Sequence, residues 1–190
     1  FGWSLQAPEV RVTDITPLLS PPRRVDMVIG FVTDAKPRNH VRGLLDDLQR
    51  LALDPGISKV RVVVIENGPL PSGDERPLRV LFEQFRAEGL DIHLVTIEQQ
   101  REDWAQGRLI DTPDPTRKRL PIAVTRTVLN TYVVQAAEDI PGAWAWILDD
   151  DKRLAIHVDL GDGLTVARPS PDLAALCALQ DAGVDVVIGP

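Results

Sequence analysis

Short apolar runs alternating with amphipathic stretches constrain this chain more than any other feature. Val25 to Val32 is nearly unbroken in apolar residues, with Asp26 near its start, and Lys59 to Ile65 and Ile92 to Ile97 repeat the pattern. Runs this short and this rich in β-branched residues are expected as strands buried on both faces. Between them Val41, Leu44, Leu45, Leu48 and Leu51, and then Leu78, Leu81, Phe82 and Phe85, recur at helical spacing. Each set gives a helix one apolar face. Asp54-Pro55-Gly56 and Gly89 stop these two helices. Pro121 opens a third helix, whose apolar stripe reads Ile122, Leu129, Val133 and Ala136. Trp144 to Leu148 is a fourth strand, preceded by Pro141-Gly142.

Beyond that strand, Leu154 to Val158 and Leu164 to Val166 flank Gly161-Asp162-Gly163, a hairpin signal. Ser170-Pro171-Asp172 caps a last helix through Leu179, and Val184 to Ile188 reads as a final strand. The order predicts an α/β fold: a mainly parallel open sheet with helices on both faces, in three layers, plus a small hairpin. Residues 1–24, broken by Pro8, Pro17, Pro21 and Pro22, are expected as an irregular N-terminal arm, with residues 25–190 as the domain. The chain opens without Met and stops just after an apolar run, so the domain is expected to be truncated at its C-terminus. The polar stretch at about residues 98 to 119 is expected as a long functional loop.

Composition narrows the function. The 190 residues carry a net charge of −7, which argues against a partner held by a broad basic surface, so no nucleic acid is expected. The single Cys177 excludes an intrachain disulfide and any multi-cysteine metal site. No apolar run is long enough for a membrane span, and a cytoplasmic setting is expected.

The fourth strand ends in Asp149-Asp150-Asp151. Adjacent carboxylates repel one another, and a divalent cation of the manganese or magnesium class would offset that. On a continuing strand Asp149 and Asp151 share a face, at the sheet edge where open α/β folds bind ligands. The competing reading is that the acids merely end the strand. Arg126, between Ile122 and Leu129, is expected on the buried stripe of its helix, where it needs an anionic partner, either one of these acids or a phosphate. Thr33 and Asp34 close the first strand, and Glu66 and Asn67 the second, so both pairs are candidates to touch a nucleotide, although Glu66-Asn67 taken alone reads first as an ordinary turn. Arg117-Lys118-Arg119 ahead of the third helix would meet a pyrophosphate or simply face solvent. There is no G-x-G-x-x-G and no Walker lysine motif, which argues against the usual dinucleotide and P-loop sites.

In order, Phe31-Val32-Thr33-Asp34, Ile65-Glu66-Asn67-Gly68, Ala123-Val124-Thr125-Arg126-Thr127 and Trp146-Ile147-Leu148-Asp149-Asp150-Asp151 resemble the donor-binding half of GT-A glycosyltransferases, family 2 in particular. The resemblance covers about residues 25 to 151; Glu66 stands where Asp is commoner, and the Asn usual after the helix Arg is missing. It implies a metal-dependent glycosyltransferase that takes a UDP- or GDP-sugar and passes the sugar to an unknown acceptor. In that reading Thr33, Asp34, Glu66, Asn67, Arg126, Asp149 and Asp150 hold the nucleotide. Asp151, with Asp149, holds the metal through a D-x-D motif, and the catalytic base lies beyond the chain's end. Two alternatives stay open. One is a nucleotidyltransferase or other phosphotransfer enzyme using the same acids for magnesium; the other is a non-catalytic nucleotide-binding module.

Overall fold

The computed structural model describes residues 23–34, 39–68, 77–109, 120–159, 165–169 and 173–183. The expected arm up to residue 22, the basic run Arg117-Lys118-Arg119 and the final run Val184 to Ile188 lie outside them.

The main sheet has four parallel strands, β1 (Val25–Thr33), β2 (Ile57–Glu66), β3 (Asp91–Val95) and β4 (Trp144–Asp149), in the order β3-β2-β1-β4. Strands β5 (Ala155–Asp159) and β6 (Thr165–Pro169) form the expected antiparallel hairpin. The helices are α1 (Asn39–Ala52), α2 (Pro77–Ala87), α3 (Ile97–Ala105), α4 (Ile122–Glu138) and α5 (Leu173–Asp181). This is the α/β, mainly parallel open sheet with helices on both faces that the alternation predicts. No described helix is long and apolar enough to cross a membrane.

Two cores follow from the pleat. Met27, Ile29 and Phe31 of β1 face one way, onto Leu44, Leu45 and Leu48 of α1 and Phe82 and Phe85 of α2. Val28 faces the other way, onto Val128, Leu129 and Val133 of α4. Gly30 shares that second face, where a Cβ would fall 2.5 Å from Cγ2 of Val133, so glycine lets α4 lie directly on the central strand.

Three expectations change. The polar stretch after β3 is not all loop: Ile97–Ala105 is helical, with Gln99 N–H donating to Oγ1 of its N-cap Thr96 at 3.2 Å. Strand β4 stops at Asp149, so Asp151 is in a turn and does not continue the strand's alternation. The buried stripe of α4 is Thr125, Val128, Leu129, Tyr132, Val133 and Ala136, which leaves Ile122 and Arg126 on the exposed side.

Candidate functional site

From β1 the chain moves through β2 to β3 on one side, then returns to place β4 on the other side of β1. Helices α1 and α2 pack on one face of the sheet and α4 on the opposite face. The C-terminal ends of β1 and β4 are therefore where the winding reverses, the place where an open α/β sheet leaves a crevice. A shallow cleft of about 100 Å³, open to solvent, sits there. Val32, Ile122, Leu129 and Leu148 give it apolar walls; Thr33, Asp34, Asn67, Arg126, Asp149 and Asp150 give it polar ones. Six of the expected nucleotide-contacting residues thus meet at one site. Its charge is lopsided, with the carboxylates of Asp34, Asp149 and Asp150 against the guanidinium of Arg126. Among the described residues such a site accepts hydroxyl and amino donors and offers an anion one cation, Arg126.

The three acids at the end of β4 do not act as a cluster. Arg126 Nη2 donates to Asp149 Oδ1 at 2.5 Å, between side chains that are each about half exposed. Asp150 Oδ2 lies 3.7 Å from His40 Nε2, at the start of α1. Asp151 Oδ1 lies 3.9 Å from Lys152 Nζ, in solvent. Asp149 is paired with Arg126 and Asp151 lies beside Lys152, so these two acids do not need a shared cation to offset their repulsion. Among the described residues no group of three or more His, Cys, Asp or Glu side chains is placed to hold a metal ion. Arg126 does point to the acids as expected, but from the surface.

Glu66 and Asn67 stand at the same sheet edge as Thr33, which pairs with Glu66 across the ladder. Their side chains are committed to the fold. Glu66 is buried and accepts from Arg79 Nε at 3.2 Å, from Arg79 Nη2 at 2.5 Å and from Ile97 N–H at 3.2 Å. Arg79 Nη2 also donates to Glu98 at 2.8 Å. Glu66 is not among the residues lining the cleft. Asn67 does line it, but its amide makes a two-way clamp on Leu120: Nδ2 donates to the carbonyl at 3.2 Å and Oδ1 accepts the N–H at 3.0 Å. The clamp fixes the chain just before α4 and so aims Arg126. Thr33 is buried, its Oγ1 donating to the Asp34 carbonyl at 3.4 Å, while its own carbonyl accepts the Asn67 N–H at 2.7 Å.

Two polar groups escaped the sequence reading. Asp47, inside α1, is buried and holds Arg153 and the Leu154 N–H, just past the three acids. Asp103 of α3 accepts from the buried Tyr132 hydroxyl and from Arg108, tying α3 and the chain after it to α4. Burial and the Asp103 carboxylate both push the Tyr132 phenol far above its ordinary range, so it stays a donor. Neither acid breaks an apolar period in a way that sequence alone distinguishes from a surface residue.

The chain is similar to the large ribosomal subunit protein uL4 of Salinibacter ruber (strain DSM 13855 / M31). The two are 33% identical over 124 residues, 63% of this chain and 55% of that protein. The chain thus spans about half the length of the curated relative it matches. No family model matches, and no solved structure matches. Likeness to a ribosomal protein overturns the glycosyltransferase resemblance and, with it, the expectations of an enzyme, of a metal-binding D-x-D motif and of a UDP- or GDP-sugar donor. It also overturns the expectation that nucleic acid is not a partner.

Proposed function

We propose that this chain is an RNA-binding structural module, working in the cytoplasm, and that the cleft between β1 and β4 takes one ribonucleotide unit of its partner. The similarity to a large ribosomal subunit protein carries the reading, since a ribosome is built on RNA. The cleft's chemistry supports it. The walls formed by Val32, Ile122, Leu129 and Leu148 suit the faces of a base, and the carboxylates of Asp34, Asp149 and Asp150 suit the hydroxyls of a ribose. Arg126, exposed at the lip, suits a phosphate once it exchanges Asp149 for it. With a net charge of −7 the surface as a whole repels a polyanion, so contact is local and shape-dependent.

Fluorescence anisotropy with a labelled single-stranded RNA, and with DNA of the same sequence, tests this. RNA should bind more tightly than DNA, because the carboxylates have a 2′-hydroxyl to accept from. Arg126→Ala should weaken RNA binding about tenfold, the loss of about 1.4 kcal/mol. Absence of RNA binding, or equal affinity for both strands with no effect of Arg126→Ala, would overturn the reading.

A further inference from the structure

Helix α1 carries a glycine in its interior, Gly43, where alanine would be favoured by about 1 kcal/mol. The reason lies across the helix surface. A Cβ at Gly43 would sit 3.0 Å from Nη1 and 3.3 Å from Cζ of Arg153, so the Arg153 side chain crosses the helix at the one position without a side chain. It ends on Asp47, whose Oδ2 accepts Arg153 Nε at 2.6 Å and whose Oδ1 accepts Nη2 at 3.0 Å. Asp47 Oδ2 also accepts the Leu154 N–H at 3.0 Å, and Leu154 is buried in the same core as α1. One turn before Gly43, His40 faces Asp150. His40, Gly43 and Asp47 are three and then four residues apart in α1, so they form one stripe of the helix. Each of them meets a residue from the segment that follows β4.

We propose that Gly43 and Asp47 are positioning residues, forming a track on α1 that fixes the segment Asp150 to Leu154 and so sets the acidic lip of the cleft before a ligand arrives. Neither lines the cleft, so any effect on binding reaches it through Arg153 and Leu154. The binding half of this inference rests on the RNA reading; the holding of the segment does not. Lost pre-organisation weakens binding without removing any ligand contact.

Amide hydrogen exchange and RNA anisotropy on the same variants separate the two. Asp47→Ala should speed exchange of the amides from Lys152 to Leu154 at least tenfold while those of β1 and β2 keep their protection. RNA affinity should fall about threefold to tenfold. Gly43→Leu should act the same way by evicting Arg153, and Arg50→Ala, which touches Asp47 from outside the track, should do neither. Should Asp47→Ala fail to fold, Arg153→Met opens the clamp from its exposed side. Unchanged exchange over Lys152 to Leu154 overturns the proposal. So does faster exchange with undiminished affinity in a protein that binds RNA. If the unaltered chain binds no RNA, the functional reading fails and the exchange data alone decide whether α1 holds the segment.

Discussion

At the residue scale the tightest point is Gly30. Val133 Cγ2, Leu129 Cδ1 and Ile147 Cδ1 would lie 2.5, 3.0 and 3.2 Å from a Cβ there, and Val133 is too stiff to yield. Gly30→Ala should therefore cost about 1–3 kcal/mol in a urea titration, and Val133→Ala should restore part of it. Asp47 shows up in the acid limb of stability. Burial would raise its pKa, but hydrogen bonds from Arg153 and the Leu154 N–H outweigh burial and hold it below the ordinary aspartate value. A carboxyl whose pKa drops on folding stabilises fully above its unfolded value and loses that contribution as pH falls through the folded one. The contribution is constant from neutrality to about pH 5 and fades below about pH 4. Urea midpoints from pH 5 to pH 3 should consequently fall less steeply in Asp47→Asn than in the unaltered chain.

At the scale of elements, α1 and α2 were legible because their apolar residues keep a strict helical period, and every residue of both stripes is buried. Helix α3 was not, because the residues it buries are Ile97, Gln100 and Asp103. Gln100 docks by donating to the carbonyls of Glu66 and Val95 at 2.8 and 3.2 Å, so hydrogen bonds replace the apolar stripe. A signal was present: Thr96 and Gln99 stand in the S/T-x-x-E/Q spacing of a capping box. Thr96→Ala should cost about 1 kcal/mol and free the first-turn amides of α3, read by hydrogen exchange. On α4 a stripe that starts at Ile122 turns the helix about one residue too far and sends Arg126 inward. Thr125 occupies the buried position instead, its hydroxyl donating to the Pro121 carbonyl at 3.1 Å. Thr125 looks polar in sequence, but the backbone satisfies it.

For the whole molecule, alternation was enough to read the fold class, because each buried strand has to be covered by an amphipathic helix. It was not enough to read the activity. Thr33, Asp34, Asn67 and Asp149 come together because they end parallel strands, and any protein wound this way places its strand-end residues in such a crevice. The ordered motifs that resemble a glycosyltransferase are in that sense a property of the architecture. What the molecule adds is its charge. On the proposed RNA reading, an acidic body whose described cleft carries one arginine should show a shallow salt dependence, a slope of log K against log salt near −0.7 per neutralised phosphate. Anisotropy titrations across salt concentrations should give a slope of about −1 to −2, and a steeper one would mean a broad basic contact instead.

The strand order has a further bearing on how the molecule comes into being. Strand β1 is central, yet one of its two neighbours is β4, whose Asp149 pairs with Val32 across most of the chain's length. As the polypeptide emerges during translation, β1, β2 and β3 can associate early with α1 and α2. One margin of β1 then stays bare until β4 is made, an invitation to mispairing with other chains. The same late strand brings Asp149 and Asp150 to the cleft, so the newborn protein completes that lip in the step that covers the bare margin of β1.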